Sequence, residues 1–95
     1  MTIQYVGLHA AATSRTYTFR VLEALEETRE FTIEIQLGAF RSTPLRFQDG
    51  PDICFARLKQ EVERETQESR LESHLRISEQ DIQEYLQRRY PHKPS

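Results

Sequence analysis

Two stretches of strict alternation limit what this chain can fold into. From Arg15 onward, Tyr17, Phe19 and Val21 fall on one side, and Thr16, Thr18 and Arg20 on the other. From Phe31, the residues Phe31, Ile33, Ile35 and Leu37 oppose Thr32, Glu34 and Gln36. Period-2 patterns in β-branched and aromatic residues specify strands with one apolar and one polar face. A sheet of that kind must pack its apolar face against something else.

The residues between the two stretches, Leu22 to Glu30, contain no Asn-Gly or Asp-Gly. The connection is therefore longer than a two-residue hairpin turn. A helical turn over Ala24 to Glu27 is expected within it, with the strands antiparallel. Setting Phe19 against Ile35 places Arg20 opposite Glu34 on the polar face, a favourable cross-strand pair. Leu45 and Phe47 alternate with Arg46 and Gln48, which predicts a short third strand after a turn at Arg41 to Pro44. In residues 1–14, Ile3 and Tyr5 alternate around Gln4, then Val6 and Leu8 break the phase. An edge strand and a loose arm both fit that segment.

The second half reads as helix. Asp49-Gly50-Pro51-Asp52 ends the strand region and opens a helix. Pro51 is preorganised for the first helical position, and Asp52 suits the positive helix end. Cys54, Phe55, Leu58 and Val62 form its apolar stripe, with Ile53 in the first turn. Beyond Val62 the stripe gives way to Thr66, Ser69 and Ser73, and the helix is expected to continue as an exposed rod. Arg57–Glu61 and Lys59–Glu63 pairs would support it. Leu71 and Leu75 are expected to return to the body. Ser78 then caps a last helix, with Asp81 three residues on and Ile77 and Ile82 as a hydrophobic staple. Ile82, Tyr85 and Leu86 form its buried face. Pro91 stops it, and Tyr90 to Ser95 is a tail.

The expected fold is α+β: a three- to four-stranded antiparallel sheet followed by two α-helices packed on its apolar face. The 95 residues fit one domain. Its parts are an arm or edge strand (1–14), a sheet (15–48), a helical part (51–89) and a tail (90–95). The core is small, so a partner that buries more surface is expected.

Charge and cysteine content narrow the partners. Residues 1–50 hold five Arg and six acids, and residues 51–95 hold eight Lys or Arg and nine acids. Neither half is a basic tract that would draw polyanions. One cysteine allows no internal disulfide, which suits a reducing compartment. No apolar run has the length of a membrane span. The start has no Lys or Arg before Arg15 and is a poor signal peptide. A cytoplasmic location without membrane contact is expected.

The residues that usually carry chemistry occur singly. Cys54 lies in a first helical turn, where a thiol can be activated, but it also sits on the apolar stripe, where a free cysteine is ordinarily a small hydrophobe. His9, His74 and His92 show none of the spacings that announce a metal site. Glu61, Glu65, Glu68 and Glu72 interleave with arginines as a solvated helix edge. Asp49-Gly50-Pro51-Asp52 lacks the glycines and lysine of a phosphate loop. No enzyme activity, cofactor or metal is expected.

A surface remains. Thr16, Thr18, Arg20, Thr32, Glu34, Gln36 and Arg46 are expected on the open sheet face, as the contact surface of a protein-interaction or self-associating module. The partner would be another protein or a second copy of the chain. The alternative is an accessory nucleic-acid binder that uses Arg20 and Arg46 on the open face, Arg15 and Arg41 at strand ends, and a C-terminal cluster of Arg88, Arg89 and Lys93 beside Tyr90. Against it, Tyr17, Phe19, Phe31 and Phe47 are all expected on the face that the helices need.

Overall fold

The computed structural model describes residues 1–23 and 27–89. Its elements are β1 (Thr2–Ala10), β2 (Ser14–Leu22), β3 (Thr28–Gln36), α1 (Leu37–Ser42), a 3₁₀ turn (Phe47–Asp49), α2 (Gly50–Arg64), β4 (His74–Arg76) and α3 (Glu79–Arg89). The fold is α+β, with a four-stranded mixed sheet in the order β1-β2-β3-β4. The helical turn expected across residues 24–27 and the tail expected at 90–95 fall largely or wholly outside the described residues.

Both strongly alternating stretches are strands, and they pair antiparallel. The register differs from the expected one. Phe19 faces Phe31, Thr18 faces Thr32 and Arg20 faces Glu30. The difference is an even number of residues, so every side chain keeps its face and alternation alone does not discriminate between the two registers. Leu37 does not extend the pattern, because it opens α1.

Residues 2–10 join the sheet as its outer strand. The break in phase at Val6 is a bulge. Tyr5 pairs with Phe19 and Gly7 with Thr18, leaving Val6 as the extra residue. Beyond it Leu8 pairs with Tyr17, so Ile3, Tyr5 and Leu8 all align with the core side of β2. One inserted residue is what a period-2 pattern needs to change parity without changing face.

The expected third strand at Leu45 to Gln48 is not formed. Leu45 is buried, whereas Phe47 is 56% exposed. Asp49 accepts the Arg46 backbone N–H through Oδ2 at 2.9 Å and donates its own N–H to the Arg46 carbonyl at 2.9 Å, closing a tight turn. Two alternating pairs are too few to outweigh that local closure. Just upstream, Thr43 is extended ahead of Pro44, as a residue preceding proline prefers. Its Oγ1 donates to the Ala39 carbonyl at 2.7 Å and ends α1.

The expected rod beyond Val62 is also absent. α2 stops at Arg64, and Glu65 turns extended. Its carboxylate receives both terminal nitrogens of Arg29 on β3, at 2.7 and 2.8 Å. It also accepts the Leu71 N–H at 2.7 Å. These bonds fold residues 65–73 back along the sheet and deliver a fourth strand, β4. That strand lies parallel to β3, with Leu75 beside Ile33. Parallel neighbours need a crossover, and here α2 is its longest element.

The cap of α3 forms as expected. Ser78 Oγ accepts the Asp81 N–H at 3.1 Å, and Asp81 Oδ2 accepts the Ser78 N–H at 2.8 Å. Ile82 is buried, and Ile77 packs against the core beside it. The core joins Tyr17, Phe19, Val21, Phe31, Ile33 and Ile35 of the sheet to Leu45, Ile53, Cys54, Leu58, Val62, Leu75, Ile82 and Tyr85. Gly50 makes the closest approach. A Cβ there would lie 2.0 Å from the Tyr17 hydroxyl oxygen.

Candidate interaction surface

The open sheet face gathers six of the seven residues expected on it. Thr16, Thr18 and Arg20 of β2 stand beside Glu34, Thr32 and Glu30 of β3. Gln36 follows at the end of β3. Arg46 is the exception. It precedes the 3₁₀ turn and is not part of the sheet, because the strand that would have carried it does not form.

Part of this face is bonded within itself. Thr32 Oγ1 and His74 Nδ1 share a hydrogen bond of 2.7 Å. His74 Nε2 lies 3.5 Å from Glu34, which also accepts from Gln36. Arg20 reaches Glu30 at 3.7 Å, both being largely in solvent. A partner would have to displace these bonds or leave polar groups unpaired, either of which costs free energy.

The outer margin of the sheet has the opposite character. β1 is nine residues long, and among the described residues no strand lies beside its outer edge. Every Lys, Arg, Asp and Glu of the chain lies at or beyond Arg15, so the strand carries none of them. Tyr5, Val6 and Leu8 are 47–48% exposed. Tyr5 stacks inward on Phe19, with ring centroids 5.3 Å apart. Phe19 in turn meets Phe55 of α2 at 6.5 Å, and Phe55 is itself 38% exposed. Sheet edges are ordinarily guarded by charges, prolines or short length. Apart from its bulge this one has none of these. The charge-free start was the sequence signal for this surface, obscured by the phase break at Val6.

Of the remaining candidates, Cys54 and Glu65 take structural roles, and His92 lies outside the described residues. Cys54 is fully buried in the core, and desolvation pushes its thiol well above the ordinary range. Such a thiol is not a nucleophile. Among the described residues no group of three or more His, Cys, Asp or Glu could hold a metal ion. Glu65 is not a solvated helix-edge acid. Its bonds from Arg29, aided by Leu71 and Arg70, hold its carboxyl down at about 2.

Asp49 and Asp52 converge on the Tyr85 hydroxyl, which donates to them at 3.3 and 2.9 Å. Burial, then the bond to Asp52, raises the Tyr85 pKa. The cluster fastens the start of α2 to α3. Arg57 does similar work, donating to Asp81 at 2.7 Å and to the Arg76 carbonyl at 2.8 Å.

Two exposed aromatics escaped the sequence reading: Phe55, expected on the apolar stripe of α2 but 38% exposed, and Phe47. Phe47 was expected on the core face, but it stands out in solvent against Phe40, with centroids 4.6 Å apart. The Arg15 guanidinium lies 4.5 Å over its ring.

These features define an α+β domain with one covered face, one partly bonded polar face and one charge-free edge interrupted by a bulge. No protein-family model, curated protein or solved structure matches the chain. Among the described residues no helix is long and apolar enough to cross a membrane.

Proposed function

We propose that the protein is a non-catalytic interaction module that takes up an extended segment of a protein partner along the outer edge of β1. The observation that carries this reading is the nine-residue strand at the sheet margin, free of Lys, Arg, Asp and Glu, with Tyr5, Val6 and Leu8 half exposed along it. Main-chain hydrogen bonds would supply affinity, and the half-exposed side chains would supply specificity. The open face is a poorer docking surface, because Thr32, His74, Glu34 and Gln36 on it already bond one another.

A photo-reactive residue placed at Val6, and separately at Thr18, tests this in cells. Defined protein adducts from Val6 and none from Thr18 support the edge. Adducts from Thr18 alone, or from neither, refute it.

A second reading has one observation in its favour, the Arg15–Phe47 stack. Exposed aromatics flanked by cations are platforms for single-stranded nucleic acid. Arg20, by contrast, is matched by Glu30. Fluorescence anisotropy with single-stranded RNA at low salt decides it, and no shift there ends this reading.

A further inference from the structure

We infer that the segment docked on β1 is the β1 strand of a second copy of this chain, antiparallel about a two-fold axis between Val6 and Gly7. The inference rests on the edge reading above and adds the identity of the occupant.

The first argument is charge. A strand without Lys, Arg, Asp or Glu offers a charged partner nothing to recognise. It also brings no like charges together when it meets itself. In a chain that is 29% charged, such a run is conspicuous.

The second argument is register. β1 has a bulge, so Tyr5 and Leu8 share the core side with two residues between them instead of one. Two copies paired with their bulges opposite each other carry the same insertion at the same place. Tyr5 of one copy then faces Leu8 of the other, and Ile3 faces Ala10, all on the core side. Gln4 faces His9 on the polar side. Apolar meets apolar and polar meets polar on both sides of the bulge.

The third argument is space. At the centre of this register Val6 faces Gly7, and nothing lies within 4 Å of a Cβ built on Gly7. The partner's valine has room there. The two sheets become one of eight strands, with the half-exposed Tyr5, Leu8 and Phe55 of both copies on the same side. Closed two-fold pairing also uses up the edge, so the assembly does not propagate.

Two measurements on the full chain test this. Light scattering with sedimentation velocity is expected to give twice the chain mass at tens of micromolar, and Val6→Lys is expected to return the mass to one chain. The second measurement is cross-linking of Gln4→Cys and His9→Cys single variants under mild oxidation. A covalent dimer is expected when the two variants are mixed, and not from Gln4→Cys alone, because positions 4 and 4 lie far apart in this register. Cys54 is buried and stays out of the reaction.

A monomer at high concentration overturns the inference, as does a dimer that survives Val6→Lys in a folded protein or cross-links equally well through Gln4→Cys alone. If the chain is monomeric while a photo-reactive Val6 captures a different protein, the second-copy inference fails and the edge reading stands. If Val6 captures nothing, both fail.

Discussion

Arg29 and Glu65, 36 positions apart, meet fork to fork, with Nη1 2.8 Å from Oε2 and Nη2 2.7 Å from Oε1. Both side chains are largely shielded, at 18% and 10% exposure. A bidentate pair of this kind is stronger and more directional than a surface contact. Here it ends α2, folds the next segment back and so creates the fourth strand.

The pair makes stability depend on acid. The folded Glu65 carboxyl sits at about 2, against 4.5 without its partners. A depressed acid contributes stability above its unfolded pKa and loses it as pH falls through the folded value. Stability is therefore expected to decline between about pH 5 and pH 2, with Glu65 contributing on the order of 2–3 kcal/mol of the change. Glu65→Gln should flatten that part of the profile in urea melts recorded across pH. An unchanged slope would show that Glu65 is not the titrating group.

Gly50 tolerates no side chain. Its backbone is ordinary helix, with φ −52°, so conformational freedom is not the reason. A Cβ would collide with the Tyr17 ring, which is buried and held within the sheet. Gly50→Ala is expected to destabilise by about 1–3 kcal/mol, as overpacking does. Tyr17→Phe in the same background should recover part of the loss in thermal melts, because it removes the nearest atom.

The two members of the α3 cap should differ in cost. Ser78→Ala removes one N-terminal bond and is expected to cost about 1 kcal/mol. Asp81→Ala removes the reciprocal bond and also the partner of Arg57 at 2.7 Å. It should cost more than Ser78→Ala. Denaturant midpoints of the two variants give the order, and equal costs would mean that the Arg57 link adds nothing.

Cys54 should be silent to iodoacetamide in the folded protein and react fully after denaturation. Its complete burial and its raised pKa both require this. Mass spectrometry before and after urea provides the check. Prompt labelling of native protein would reopen the thiol as a functional group.

Much of the fold was legible in the chain because it is local. Alternation around Tyr17–Val21 and Phe31–Ile35, Pro51 at the start of α2, and the Ser78–Asp81 cap are each decided by neighbours within a few residues. Leu45 to Gln48 misled because its alternation is too short, while the capping contact from Asp49 is just as local and stronger. The candidate site was legible only in part. Thr16, Thr18, Arg20, Thr32, Glu34 and Gln36 do share the open face, yet which of them are already bonded depends on His74, Glu30 and the register.

Sequence by itself determined which residues turn inward along each strand and helix, since side-chain direction follows backbone periodicity. Only the tertiary structure decided where the strands lie relative to one another. A shift by an even number of residues leaves faces unchanged, so the β2–β3 register is invisible to alternation. The parallel placement of β4 depends on Arg29 meeting Glu65, a contact between residues remote in sequence. The exposed edge of β1 belongs to the same category. Its lack of charge is written in the chain, but an uncharged strand is an interaction surface only when it lies at the margin of the sheet, and strand order is a property of the whole fold.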